Sequence, residues 1–81
     1  MRVGVKLFAQ LRDLAGAGDV ACDVPDGATA REVWQALVAM HPALEKFGTS
    51  VSCAVNAEYA KLHATVRAGD EVAFLPPVSG G

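Results

Sequence analysis

One amphipathic helix, with strand-like segments before and after it, is the feature that most limits how this chain can fold. Thr29 and Glu32 have the spacing of a capping box, in which the hydroxyl and the carboxylate each accept a hydrogen bond from a backbone N–H. Apolar residues then recur at helical spacing: Ala30, Val33, Trp34, Leu37 and Val38. Pro42, directly after His41, ends the helix. Since its apolar residues form a single stripe, the helix must pack on a sheet built by the rest of the chain.

Four other segments have the two-residue period of strands: residues 3–7, 20–24, 51–56 and 71–75. A short helical turn over residues 10–15 separates the first two, which we expect to pair, and Leu44 and Phe47 indicate another turn before Gly48. Residues 59–66 are ambiguous and are compatible with a short edge strand followed by a turn. This order predicts an α+β fold with a mixed sheet of four to five strands and one main helix on one face, which is the β-grasp plan of ubiquitin.

Size and composition restrict the function classes. A chain of 81 residues forms one small domain, and 52% hydrophobic with 20% charged residues is typical of a packed globule. A net charge of −2 with singly scattered Lys and Arg gives no support for nucleic-acid binding. The apolar runs are far shorter than a membrane span requires and the N-terminus lacks a signal-peptide layout, so we expect a cytoplasmic protein that does not bind membranes.

Motifs for metal, nucleotide or nucleophilic chemistry are weak. Cys22 and Cys53 alternate in phase with neighbouring valines, so we expect two buried thiols and no metal site. Residues 16–21 match a relaxed dinucleotide fingerprint but open a strand where a helix is required, and no lysine follows a glycine as in a P-loop. His41 and His63 have no Ser or Cys placed to form a catalytic set and are interpreted as surface or capping residues. We therefore expect no cofactor on this chain.

The last residues carry the strongest functional signal. The predicted domain, residues 1–75, is followed at once by a tail, residues 76–81, with the sequence Pro76, Pro77, Val78, Ser79, Gly80 and Gly81. The diproline favours an extended course, and the two glycines have no Cβ, so they can enter a channel too narrow for other residues. At about 3.3 Å per residue the tail reaches roughly 20 Å, enough to thread an active site on another protein. We expect the Gly81 carboxylate to be the reactive group.

A second candidate feature is the outer face of the sheet. If the valines of the strands and Phe74 point toward the helix, strand parity places another set outward: Phe8, Ala54, Ala73 and Leu75, with Tyr59 nearby. A cluster of apolar residues at the root of a reactive tail is better interpreted as a docking surface than as chance exposure. We therefore predict a partner interface at Phe8, Tyr59 and Leu75.

Three stretches resemble the small subunit of molybdopterin synthase, a sulfur carrier of the MoaD family: FAQLRDLAG at residues 8–16, Val55-Asn56, and GDEVAFLPPVSGG at residues 69–81. The resemblance runs over nearly the full length, and the ending is its specific part. Leu75 departs from it, because some relatives have a second aromatic residue there, and Tyr59 stands where others have an aliphatic residue. Neither departure lies in the tail, residues 76–81, so neither changes its expected chemistry.

This resemblance implies a mechanism and a set of partners. An E1-like adenylating enzyme would use ATP and Mg to activate Gly81, and sulfur from a donor would displace AMP to leave a thiocarboxylate. The tail would then insert into the large synthase subunit and give its sulfur to a pterin precursor, forming the dithiolene of molybdopterin. The catalytic residues would belong to the partners, so the chain alone is not an enzyme.

Three alternatives stay open at this point. The first is a sulfur carrier for thiamine or cysteine biosynthesis, which ends alike. The second is a ubiquitin-like modifier whose Gly81 forms an isopeptide bond with lysines of target proteins. The third is an interaction domain with an inert tail, for which removal of Gly80 and Gly81 would change nothing.

Overall fold

The segments predicted as strands form one five-stranded sheet in the computed structural model, which describes residues 1–77. The strands are β1 (Arg2–Leu7), β2 (Asp19–Asp23), β3 (Ser52–Val55), β4 (Glu58–Ala60) and β5 (Glu71–Leu75). Their order across the sheet is β2-β1-β5-β3-β4, with β1 and β5 parallel and the other pairs antiparallel. The tail residues Val78, Ser79, Gly80 and Gly81 lie outside the described residues.

The main helix begins where the capping box predicts. Helix α2 spans Ala30–Met40, the Glu32 N–H donates to Thr29 Oγ1 at 3.3 Å, and the Thr29 N–H donates to Glu32 Oε1 at 3.1 Å. The short helix α1 spans Ala9–Ala15 and ends at Gly16, whose φ of 76° is the left-handed conformation common after helices. A 3₁₀ helix, Pro42–Phe47, follows α2.

The core lies between α2 and one face of the sheet, as the apolar stripe predicts. Trp34 of α2 packs on Phe74 of β5 with ring centroids 5.1 Å apart and the planes tilted by 52°. The buried Trp34 indole N–H donates to the Gly48 carbonyl at 2.7 Å, which ties α2 to the end of the 3₁₀ helix. A buried indole needs such a partner, because an unpaired N–H in the core is destabilising. Within residues 1–77 the core contains no buried charged or polar residue. The ubiquitin-like β-grasp prediction is therefore confirmed.

The ambiguous segment 59–66 contains the end of a short edge strand, and the rest of it contacts the start of α2. Only Glu58–Ala60 pairs with β3, and the chain after Ala60 turns toward the start of α2. There the Ala30 N–H donates to the Ala64 carbonyl at 2.9 Å, and the Arg31 N–H donates to the Leu62 carbonyl at 2.8 Å. The first N–H groups of a helix have no partner within the helix. Residues 62–64 supply partners for two of them.

Both cysteines are buried and free, as predicted, and burial raises the pKa of the Cys22 and Cys53 thiols. Residues 1–77 contain no cluster of three or more His, Cys, Asp or Glu side chains able to hold a metal ion. None of the helices described in that range has the length and apolar character needed to cross a bilayer.

Candidate functional site

The tail begins at the end of the central strand. Strand β5 pairs with β1 as far as Phe74 and with β3 as far as Leu75, so its backbone is held along both edges nearly to its end. Pro76 and Pro77 follow directly, and each proline ring fixes φ near −65°. A tail attached here starts from a firmly placed position, and its first two residues have little freedom to change direction.

Phe8 lies beside the root of the tail. The parallel register pairs Leu7 with Phe74, so Phe8 is next to Leu75 when β1 is continued by one residue. Phe8 has extended backbone angles, which turn its side chain away from the buried Leu7, and 44% of it is exposed. Ala9, which follows, has a φ of 51°, a conformation that costs about 1 kcal/mol or more for a residue with a Cβ. The strained residue Ala9 therefore directly follows the exposed aromatic side chain of Phe8.

A row of paired residues crosses the outer face of the sheet. Tyr59 on β4 pairs with Ala54 on β3, Ala54 pairs with Ala73 on β5, Ala73 pairs with Lys6 on β1, and Lys6 pairs with Asp19 on β2. Two alanines thus form a shallow apolar floor between an 81% exposed tyrosine and an ion pair. Lys6 Nζ lies 3.0 Å from Asp19 Oδ1, and this hydrogen bond raises the pKa of Lys6.

The predicted outward set is therefore on one face, but its members differ in exposure. Ala54 is on the outer face, as predicted, but only 8% of it is exposed. Ala73 and Leu75 are half-buried. Phe8 and Tyr59 are exposed, so the accessible apolar area is carried mainly by two aromatic residues on either side of a low centre. We call the five residues Phe8, Ala54, Tyr59, Ala73 and Leu75 the outer-face patch.

A cleft of about 580 Å³ adjoins this patch at the end of the β3–β4 ladder. Its polar lining consists of Arg31, Ser52, Tyr59, Lys61 and His63. In the sequence the Lys and Arg residues are scattered singly, and His63 is interpreted as a surface or capping residue. The fold brings Arg31, from the first turn of α2, to the same cleft as Lys61 and His63, which are some thirty positions later. No local spacing in the sequence indicates this cluster.

The described residues have features of a surface that binds and positions another molecule. The site comprises apolar and cationic side chains, a firmly held strand end and two prolines. The thiols of Cys22 and Cys53 are buried, and burial raises their pKa values. Reactive thiols need the opposite setting, an exposed and low-pKa sulfur. The predicted tail residues Val78 to Gly81 lie outside the described part of the chain, so the predicted reactive carboxyl group stays a prediction.

Fold and site together define a ubiquitin-like β-grasp protein with a diproline and a Gly-Gly sequence after its central strand. A profile of the ThiS family matches residues 5–81. The chain belongs to this family of small sulfur carriers, which are not themselves catalysts.

Individual relatives divide between two names. The chain is 44% identical over 84 residues to small archaeal modifier protein 1 of Haloferax volcanii, covering 94% of this chain and 97% of the relative. A crystal structure of that protein superposes with a TM-score of 0.88 at 42% identity, covering both chains fully. The chain is also 38% identical over 81 residues to the molybdopterin synthase sulfur carrier subunit of Arabidopsis thaliana, covering 100% of this chain and 84% of the relative.

A third comparison concerns a complex. A chain in the crystal structure of the BexX/CysO complex from Amycolatopsis orientalis has a TM-score of 0.75 and 26% identity to this chain. The match covers 98% of this chain and 99% of the other.

Proposed function

We propose that this chain carries sulfur on the carboxyl group of Gly81 as the small subunit of molybdopterin synthase. The observation that carries the proposal is the family match, which covers residues 5–81 and so includes the whole tail that follows the central strand β5. The family match supports sulfur as the group that the chain carries. A tail that follows the central strand gives the chain a means of inserting that group into a partner.

The chemistry needs an activating partner, because a carboxylate is a poor electrophile. In the proposed sequence, a Gly81 carboxylate oxygen attacks the α-phosphorus of ATP on an E1-like enzyme that also binds Mg, and pyrophosphate leaves. A sulfide-level sulfur from a donor then attacks the acyl carbon, AMP leaves, and a thiocarboxylate remains. Its sulfur is soft and ionised near neutral pH, so it is a good nucleophile toward the pterin precursor held by the large subunit. Water then hydrolyses the acyl C–S bond of the resulting thioester, which leaves the sulfur on the precursor and returns Gly81 to a carboxylate. Two such transfers supply the two sulfurs of the dithiolene.

The fold contributes positioning. Pro76 and Pro77 restrict the root of the tail, so less conformational entropy is lost when the tail enters a narrow channel, at about 1 kcal/mol or more per freed backbone residue. The outer-face patch lies at the base of the same tail. We propose that the large subunit and the activating enzyme bind this patch in turn, with Phe8, Tyr59 and Leu75 as the main apolar contacts.

A second function is favoured by a specific observation, the 44% identity to small archaeal modifier protein 1. On that account an activated Gly81 would also be attacked by lysine amines, giving isopeptide bonds to target proteins. Adenylation is common to both outcomes, and they differ in the nucleophile that displaces AMP. A carrier for cysteine or thiamine biosynthesis shares the thiocarboxylate and differs only in the acceptor.

Intact mass measurement tests the proposal. The chain is incubated with an E1-like enzyme from the same organism, ATP, Mg and sulfide, and its mass is expected to rise by one exchange of oxygen for sulfur, localised to the last peptide. A variant lacking Gly81, and one extended beyond Gly81 by an uncleavable tag, serve as controls and should gain no mass. Sulfur transfer from the tagged variant would overturn the assignment of Gly81.

The acceptor is identified in a second step. Purified thiocarboxylate form is mixed with the large subunit and the pterin precursor, and molybdopterin is measured by the fluorescence of its oxidised derivative. Slow-migrating, Gly81-dependent bands in cell extract would instead support the modifier function. If the thiocarboxylate forms and the large subunit gives no molybdopterin, the molybdopterin assignment is wrong and a different acceptor is indicated.

A further inference from the structure

We propose that the cleft at the end of the β3–β4 ladder binds carboxylate side chains of the protein that docks on the outer-face patch. The cationic residues of the cleft are Arg31 and Lys61, and His63 lies beside them in its lining. The inference deepens the proposed function, because the partner in question is the activating enzyme that handles the tail. It assigns to that enzyme an acidic surface beside its apolar contact.

The position of the cleft makes it continuous with the patch. Tyr59 belongs to both, since it lines the cleft and forms one end of the row across the outer face. Ser52 also lines the cleft, and it pairs with Leu75, the last residue of β5. Adjacent strands are about 4.8 Å apart, so the cleft begins within one strand of the root of the tail. A partner that holds the tail therefore also reaches the cleft.

The charges in the cleft have no acidic counterpart in the described structure. Within residues 1–77 the ion pairs are those of Met1 with Asp26, Arg2 with Asp23, and Lys6 with Asp19. Arg31, Lys61 and His63 are exposed and take part in none of them. The net charge of the chain is −2, so this cluster is a local positive region on a protein that is acidic as a whole. Such a region attracts an acidic partner and directs its approach.

The backbone around the cleft favours protein carboxylates over a phosphate group. Phosphate sites at a helix start use free backbone N–H groups. Here the Ala30 and Arg31 N–H groups donate to the Ala64 and Leu62 carbonyls, and the Glu32 N–H donates to Thr29 Oγ1. The first turn of α2 therefore offers no cradle for a small anion. The cleft instead offers the exposed cationic side chains of Arg31 and Lys61, which suit carboxylates on a protein surface.

The test compares two double variants that each remove two positive charges. Arg31→Gln/Lys61→Gln changes the cleft, and Lys46→Gln/Arg67→Gln changes cations that do not line it. Association rates with the E1-like enzyme are measured by stopped flow from 0.05 to 1 M NaCl. At low salt we expect the cleft variant to associate about fivefold more slowly than the control variant. The two should converge near 1 M, where the screening length is about 3 Å.

Equal slowing in both variants, or none in the cleft variant, would overturn the proposal. So would a saturable phosphate titration of the free wild-type protein that shifts the amide resonances of residues 31 and 59–63, since the cleft would then be a small-anion site. Thiocarboxylate formation by the wild type and by the Lys46→Gln/Arg67→Gln control is followed at saturating enzyme, and both should reach the full mass change. A wild-type protein that binds the enzyme and gains no mass counts against the proposed function alone.

Discussion

The two faces of strand β5 differ in how deeply their side chains are buried. Val72 and Phe74 point toward α2 and are fully buried, while Ala73 and Leu75 alternate with them and stay half-buried on the outer face. One five-residue strand thus contributes both to the core and to the outer-face patch. Because successive side chains of a strand point to opposite sides, substitutions at adjacent positions should act on stability and on recognition separately.

The faces also differ in their chemistry. The inner face is closed by α2, and its polar atoms are satisfied, as the Trp34 hydrogen bond to Gly48 shows. The outer face has no helix packed on it in the described structure, and it keeps a tyrosine and a phenylalanine exposed next to charged groups. An accessible face that contributes little to folding is consistent with the successive docking of two partners that we propose.

The largest expected effect is on the inner face. Phe74→Ala should destabilise the domain by about 3–5 kcal/mol, because it removes a ring that is 0% exposed and packed on Trp34. Urea unfolding followed by tryptophan fluorescence measures the change. Leu75→Ala, one residue along the same strand, is the matched control and should lose less than half as much. Similar losses at both positions would contradict the division between the faces.

The second test concerns the outer face, where substitutions are expected to weaken binding more than they destabilise the domain. Phe8→Ala and Leu75→Asp should weaken binding to the large subunit or the activating enzyme, by up to about 1.5–3 kcal/mol for each side chain that becomes fully buried. Calorimetric titration gives the affinity, and the loss of affinity is expected to exceed the loss of stability that thermal unfolding of the free protein measures. Variants that unfold the free protein and bind normally when folded would show that these side chains belong to the core.

Much of the fold was predictable because its determinants are local. The capping box of Thr29 and Glu32, the apolar stripe of α2 and the alternation of β1 and β5 are each contained in a short stretch of sequence. Strand β4 was ambiguous because it is only three residues long, and its continuation is decided by bonds to the start of α2. Those bonds join residues more than thirty positions apart, so no local pattern contains them.

The site was predictable where strand parity controls it. Parity alone places Phe8 and Leu75 outward, but it does not give exposure, and Ala54 is covered although it points the right way. The cationic cleft was missed because Arg31 and Lys61 meet only in the folded chain. Charge clusters assembled from separate elements need the topology before they can be seen.

A smaller effect is expected at the turn that presents Tyr59. Asn56 and Ala57 have φ values of 52° and 69° and connect β3 to β4 as a two-residue hairpin turn. Ala57→Gly should stabilise the domain by about 1 kcal/mol, since glycine adopts this conformation without strain. Urea unfolding measures it, with Ala60→Gly in β4 as a control that should destabilise. A loss of stability for Ala57→Gly would indicate that strain at the edge of the outer face is negligible.

The smallest expected effect is on the pH dependence of stability, which should arise from groups outside the core. The inner face described here has no buried charged residue, so acid sensitivity must come from groups outside it. At the start of β5, Asp70 accepts hydrogen bonds from the Asn56 amide at 3.0 Å and from the Arg67 backbone N–H at 2.8 Å, and these lower the pKa of Asp70. A lowered pKa in the folded state stabilises the protein above the unfolded value of about 3.9, and this stabilisation is lost as pH falls through the lower, folded value. Urea unfolding from pH 6 to pH 2 should therefore show the wild type losing its advantage over Asp70→Asn in acid. Parallel curves for the two proteins would mean that Asp70 contributes nothing to the pH dependence and that the remaining carboxylates account for it.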